Sequence, residues 1–402
     1  MKEIVIVGAS LAGLRAAETL RGEGFDGNIH LIGDEPHLPY DRPPLSKQIL
    51  SGDWDLDRVS LTDTTKNDEL SLEWHLGAKA TGLNINDKNI TLENNTSLSF
   101  DGLVIATGAR CISLKMAEHL EGVYTLRGLD DAIAIRKEFE ANPHKVVVVG
   151  AGFIGAEVAA TAKQRGLDVT MIEAAEVPFE RVLGPVMGNV TADVHRDHGV
   201  EVITGLAVEA FQGTDRVEKV ILENGTEIEA DLVIVGIGVR PNTEWLEGSG
   251  LTLDNGVLCD ETCEAAPGIV AAGDVARWPN KLFNENMRVE HWDNAVEQGV
   301  FAARRLLAGG SNQESYTPTP WFWTDQFDRK IQLAGRTRST DDIKVVTGSI
   351  EERRFATAYG REGKLVGILG FNRPRHVMQY KQLITDGASW DDALAFANEQ
   401  AS

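Results

Sequence analysis

Residues 146–160 read VVVVGAGFIGAEVAA, and residues 4–17 read IVIVGASLAGLRAA. Each phrase runs an apolar, β-branched stretch into a glycine turn and then into alanine-rich, helix-forming sequence. That order suits a buried parallel strand, a tight turn and a helix whose first N–H groups can hold a pyrophosphate. In the later phrase, strand 146–149 leads to Gly150, Gly152 and Gly155. The next strand, DVTMIEA (168–174), ends near Glu173, about 20 residues on, where a carboxylate would meet ribose hydroxyls. In the earlier phrase, strand 4–7 leads to Gly8, Ser10 and Gly13, and NIHLIGDE (28–35) offers Asp34 and Glu35. Ser10 stands where the middle glycine would leave room for phosphate. Taken alone, this copy also fits a tight βα turn in any doubly wound fold.

Two further phrases extend the repeat. FDGLVIATGAR (100–110) and ADLVIVGIGVRPN (230–242) each carry an apolar strand into a glycine turn, at matching places after the two fingerprints. The duplicated unit is therefore domain-sized, with one copy suited to a resident nucleotide and the other to a visiting one. GIVAAGDVA (268–276) places Gly273 and Asp274 at the end of another strand, where an acid can accept hydrogen bonds from a polyol.

A chain of 402 residues is long for one core and predicts two or three domains. No run approaches the roughly 20 apolar residues of a membrane span, and MKEIVIVGAS starts as a strand rather than a charged leader. The chain is expected in the cytoplasm. A formal net charge of −22 argues against nucleic acid or an anionic membrane as partner. An acidic protein partner would need a local basic patch, for which Arg353, Arg354, Arg373, Arg375 and Lys381 are candidates. The three cysteines, Cys111, Cys259 and Cys263, have no CxxC spacing and read as ordinary thiols. The nine histidines show no linear spacing that suggests a metal centre, so none is expected. Trp321, Phe322 and Trp323 crowd one short stretch; core packing is the plain reading, and a water-excluding ring over the reacting nucleotides is the alternative.

Several longer stretches carry a resemblance. LPYDRPPLSK (38–47), VYTLRGLDDA (123–132), VEHWDNAVEQG (289–299) and PWFWTDQFD (320–328) resemble the two-dinucleotide-binding flavoprotein superfamily, and within it the FAD-dependent ferredoxin reductases of the putidaredoxin reductase type. The resemblance implies an α/β protein with two Rossmann-like, glutathione-reductase-like domains and a C-terminal α+β domain. It divides the chain into an FAD-binding domain (1–109 and 238–316), an NAD-binding domain (110–237) and a C-terminal domain (317–402), with SNQESYTPTP (311–320) as a linker. It places FAD on Gly8, Ser10, Gly13, Asp34, Glu35, Lys47, Ala80, Arg127, Gly273, Asp274 and Trp292, and NAD on Gly150, Gly152, Gly155 and Glu173.

The same resemblance implies electron flow from NADH through FAD to a small iron–sulfur ferredoxin, [2Fe–2S] by preference, which feeds a haem-thiolate monooxygenase or a Rieske oxygenase. Lys47 and Glu157 would pair beside the flavin ring, the lysine favouring the reduced, electron-rich flavin; the plain alternatives are a solvated lysine and an ordinary helix glutamate. Trp323 would shield the flavin–nicotinamide stack. Glu173, with no arginine after it in IEAAEV (172–177), favours NADH over NADPH. The rival readings are an NADH oxidase using oxygen and an NADH-sensing flavoprotein resembling apoptosis-inducing factor. Disulfide chemistry is disfavoured because DRPPLSK has Ser46 and no cysteine.

Overall fold

The computed structural model describes residues 1–117, 119–311 and 314–401; Asn312 and Gln313 of the expected linker lie outside the described residues. The chain forms two compact units, one of 1–41, 59–110 and 240–320, the other of 42–58, 111–239 and 321–402.

In the first unit, the fingerprint strand Glu3–Val7 lies between Asn28–Ile32 and Gly102–Ile105 in a six-stranded sheet. Glu73–His75 forms one edge, and Ile269–Ala271 continues the sheet beyond Gly102–Ile105 to the other edge strand, Glu264–Ala266. Only that last pairing is antiparallel. Strands buried on both faces must be apolar throughout, which is why Ile4, Val5, Ile6, Leu103, Val104 and Ile105 are all fully buried. Helices Leu11–Gly22 and Trp292–Ala308 are part of the same unit. Gly299 makes their close contact possible, because a Cβ there would lie 2.5 Å from the Ala12 carbonyl.

The second unit repeats the plan. Lys145–Val149 lies between Asp168–Glu173 and Leu232–Val235, with Glu201–Thr204 and Val123–Thr125 outside them, all parallel. Both modules also insert a three-stranded antiparallel sheet before their last fingerprint-paired strand: Ala80–Asn84, Asn89–Leu92 and Ser97–Ser99 in the first, Val208–Gln212, Lys219–Leu222 and Glu227–Glu229 in the second. Even the tight turns match. Asn94 accepts from the Thr96 N–H at 2.9 Å, and Asn224 accepts from the Thr226 N–H at 3.0 Å, the local side-chain bond that makes asparagine a turn residue.

Also in the second unit is a five-stranded antiparallel sheet in the order Trp321–Gln326, Arg329–Gly335, Lys364–Phe371, Arg354–Arg361, Asp342–Ser349, with helices Pro374–Thr385 and Trp390–Ala401. Strand alternation sorts the aromatic stretch: Trp321 and Trp323 share one face, their rings stacked 5.3 Å apart with planes inclined by 29°. Phe322 faces the other way and meets Phe153 edge-on at 4.3 Å. The cluster is thus neither wholly core nor wholly surface. No helix among the described residues is long and apolar enough to cross a membrane.

Candidate active site

The two glycine turns show which parts of each fingerprint serve the fold. Gly8 and Gly150 adopt φ of +123° and +100°, and a Cβ on either would strike the carbonyl of Ala106 or Gly236 at 2.0 and 2.4 Å. Gly13 and Gly155 press against the carbonyls of Gly8 and Gly150, where a Cβ would sit at 1.9 and 2.1 Å. These four are demanded by strand–turn–helix packing. Gly152 is different: its φ is −73°, and the nearest protein atom to an added Cβ is 3.8 Å away. The fold gives Gly152 no reason to lack a side chain, whereas a phosphate drawn to the helix N-terminus does. The residues present therefore fit a dinucleotide.

Ser10 occupies the corresponding place with φ of −118°, a conformation open to any residue. It is the N-cap residue of helix Leu11–Gly22, yet its hydroxyl makes no capping bond. The substitution costs the backbone nothing, and the first-turn N–H groups are not closed off by the serine.

Glu173 does more than stand at a strand end. One carboxylate oxygen accepts from the Ala151 N–H at 2.9 Å and the other from the Ala175 N–H at 3.0 Å. It thereby fastens the glycine turn, with acceptor capacity left for a ribose. On the other module, Asp34 and Glu35 lie beyond the strand, which stops at Ile32. Glu35 accepts a short hydrogen bond from the Tyr40 hydroxyl.

Gly273 and Asp274 depart from the sequence reading. The strand ends at Ala271 and the pair lies on a 3-10 turn, Gly273–Val275, because Gly273 takes φ of +75° and leaves the extended conformation. The turn packs on the first fingerprint helix, a Cβ on Gly273 meeting that of Ala12 at 3.1 Å. Gln298 anchors it by accepting from the Gly273 N–H at 2.9 Å. Trp292 donates from its indole to Asp41 at 2.7 Å. Gly8, Ser10, Gly13, Asp34, Glu35, Ala80, Gly273, Asp274 and Trp292 thus all belong to the first unit. Ala80 is buried at the start of its three-stranded sheet.

Lys47, Arg127 and Glu157 belong to the second unit. The Arg127 carbonyl accepts from the Arg42 guanidinium at 2.7 Å. After the Pro43–Pro44 pair the chain winds into a π-type turn, Leu45–Ile49, closed by the Ile49 N–H to the Pro44 carbonyl at 3.0 Å. Such turns are wider than an α-helix and concentrate at functional positions. The turn brings Lys47 to Glu157, on helix Phe153–Gln164, with Nζ 2.9 Å from Oε2. The lysine side chain is only 13% exposed and Glu157 4%, so the plain reading of a solvated lysine fails.

A buried carboxylate needs partners for its remaining lone pairs, and these were not evident from the sequence. The Ser46 hydroxyl donates to Oε2, and the Thr324 hydroxyl donates to Oε1 at 2.8 Å, joined by the Asp325 N–H at 3.3 Å. Thr161, one turn along the same helix, donates to the Ser46 carbonyl at 2.8 Å and holds the π-type turn. The signals were faint: Ser46 is next to Lys47, and Thr324 is hidden behind the tryptophans. Trp323, one residue before Thr324, points to the opposite face of its strand.

The cysteines hold no redox pair. Cys259 and Cys263 are buried, free thiols; burial pushes Cys259 up to about 12 and Cys263 well above the ordinary thiol value. Cys111 is also raised, chiefly by burial. A thiolate is the reactive form, so all three are poorly suited to disulfide exchange. In the expected basic patch, Arg353 is neutralised by Asp193 and Asp197 at 3.3 and 3.1 Å. Arg373, Arg375 and His376 do share positive surroundings: burial, then the two arginines, hold the His376 imidazole below its ordinary value.

Residues 2–299 match the family described as pyridine nucleotide-disulphide oxidoreductase, and residues 321–401 match the domain described as reductase C-terminal. Putidaredoxin reductase of Pseudomonas putida is 36% identical over 95% of this chain and 92% of its own length. Rhodocoxin reductase of Rhodococcus erythropolis is 36% identical over 95% of this chain and 89% of its own. Among solved structures, the covalent putidaredoxin reductase–putidaredoxin complex superposes with a TM-score of 0.91 at 35% identity, covering 96% of this chain and 93% of that one. With two nucleotide fingerprints in matching folds, the chain belongs to the pyridine nucleotide-disulphide oxidoreductase family, oxidoreductases that use a flavin and a nicotinamide nucleotide.

Proposed function

We propose that this protein is an FAD-dependent NADH:ferredoxin reductase that passes electrons to a small iron–sulfur ferredoxin, [2Fe–2S] by preference, serving a haem-thiolate monooxygenase or a Rieske oxygenase. The observation that carries this reading is the Lys47–Glu157 pair. A lysine and a serine occupy the π-type turn where disulfide chemistry would require a cysteine, and all three cysteines have raised thiols. Relatives at 36% identity that bear ferredoxin-linked reductase names support the choice of acceptor.

On this reading residues 1–109 and 238–316 bind FAD, 110–237 bind NADH and 317–402 form the C-terminal domain. Bound FAD would supply what no side chain can, taking two electrons as hydride and releasing them singly. The chain supplies position and charge. Gly8, Ser10 and Gly13 would hold the FAD pyrophosphate, Asp34 or Glu35 its ribose, and Asp274 its polyol chain, with Ala80, Arg127, Gly273 and Trp292 completing the contacts. Lys47 contributes a fixed positive charge that favours the reduced flavin, and Glu157 keeps the ammonium in place. Gly150, Gly152 and Gly155 would take the NADH pyrophosphate, and Trp323 would exclude water. Glu173 would hydrogen-bond the adenosine ribose and repel a 2′-phosphate, giving NADH a higher kcat/KM than NADPH. Arg373 and Arg375 would attract an acidic ferredoxin, so its reduction should slow as salt rises.

The test is anaerobic stopped-flow mixing with NADH, followed by a [2Fe–2S] ferredoxin. Fast flavin bleaching and prompt reoxidation by ferredoxin are expected. Colour that returns only with oxygen would point to an oxidase, and slow bleaching into a long-lived complex would point to a sensor.

A further inference from the structure

His30, Glu73 and His75 are far apart in the chain but meet on one face of the first unit's sheet. The strands are parallel and in register, His30 opposite Glu73 and Ile32 opposite His75, and alternation puts all three side chains on the same side. His30 Nδ1 lies 3.1 Å from His75 Nε2 and 3.3 Å from a Glu73 oxygen. The three ligand atoms lie within 4.8 Å of one another.

One imidazole nitrogen carries either a lone pair or a single proton, so it can serve both neighbours by hydrogen bonding only through one shared, weaker bond. A cation would satisfy all three. The spacing suits one, since a tetrahedral zinc site with bonds of about 2.0–2.1 Å has ligand–ligand edges of about 3.3 Å. The outer contacts fit too. His30 Nε2 is 3.3 Å from Glu3 Oε2, and the other Glu3 oxygen accepts from the Asn28 amide at 2.8 Å. A carboxylate behind a histidine ligand fixes its tautomer and leaves Nδ1 free to coordinate.

We propose that His30, Glu73 and His75 bind a divalent cation of the zinc class, with a fourth position open to water and Glu3 positioning His30. Imidazole with carboxylate selects zinc, nickel or copper over magnesium or calcium. The ion would fasten the three-residue edge strand Glu73–His75 to its neighbour Asn28–Ile32.

The test uses the untagged, flavin-loaded protein, stripped with a chelator and titrated with Zn2+ and Co2+. One Zn2+ per chain and the visible bands of tetrahedral Co2+ are expected. His30→Gln and His75→Gln should each lose at least about 100-fold in Zn2+ affinity, and Glu3→Gln about 10-fold. Glu73→Gln, at a side chain 56% exposed, guards against misfolding and should also weaken binding. Retained flavin absorbance reports an intact fold. Less than one Zn2+ per chain, or unchanged affinity in His75→Gln or Glu73→Gln, would overturn the assignment.

Discussion

Removing the Glu157 carboxylate tests how the buried pair is held. At 2.9 Å, Lys47 and Glu157 attract each other by about 6 kcal/mol at an effective dielectric constant of about 20. Most of that offsets the desolvation of both ions. Deleting one partner of such a pair typically costs about 3–5 kcal/mol, because the other charge stays buried. Glu157→Ala also takes the acceptor from Ser46 and Thr324, so the upper half of that range is expected. Lys47→Met should cost less, about 1–3 kcal/mol, since the carboxylate keeps its bonds from Ser46, Thr324 and the Asp325 N–H. The double variant should recover part of the loss, with a coupling of about 0.5–3 kcal/mol. Urea unfolding of the four proteins, followed by tryptophan fluorescence, measures each term. A Glu157→Ala loss under about 1 kcal/mol, or strict additivity in the cycle, would refute the reasoning. In the same series, stopped-flow NADH oxidation should slow in Lys47→Met.

The fingerprint glycines should separate fold from ligand. Gly152→Ala should leave stability within about 0.5 kcal/mol, since relief of chain entropy opposes a poorer N-cap, while raising the KM for NADH; Gly155→Ala should destabilise by about 1–3 kcal/mol or more, and equal melting temperatures for the two would contradict the packing argument. His195 is buried and held at about 4, chiefly by burial. Below its unfolded value of about 6.5 the unfolded chain binds the extra proton, so stability should fall as pH drops from about 6.5 to about 4, by up to about 1.4 kcal/mol per pH unit. His195→Gln should flatten that stretch of the curve, as followed by urea midpoints against pH. Native alkylation should spare Cys259 and Cys263, and Cys263→Ser should retain NADH-driven turnover; loss of turnover in a folded variant would restore a redox role for the thiol.

Elements that fold locally were the legible ones. Strand, glycine turn and helix lie within one short stretch, so the chemistry of Gly150 and Gly155 is written where it acts. The alternation of apolar strands after each fingerprint revealed the duplicated module for the same reason. Glu157 was visible as a candidate only through resemblance, because its partners come from two distant segments, at Ser46–Lys47 and at Thr324–Asp325. The opposite orientations of Trp323 and Thr324 follow from strand periodicity, but the dense aromatic run concealed it. Arg353 read as a free cation because Asp193 and Asp197, which neutralise it, lie on a distant helix. His30 and His75 show the same limit: Glu73-x-His75 on a strand marks one face, but nothing in linear spacing announces which strand will lie beside it.

The double attachment of Glu173 has a consequence for redesign of coenzyme choice. Replacing it with a neutral or basic residue is the obvious route to admitting a 2′-phosphate, yet the same carboxylate ties the Ala151 and Ala175 amides together. The exchange would slacken the very loop that must grip the new coenzyme. A successful switch therefore needs two changes at once, a cation for the extra phosphate and a replacement tether for the loop, and a single substitution should trade affinity for one nicotinamide nucleotide without gaining it for the other.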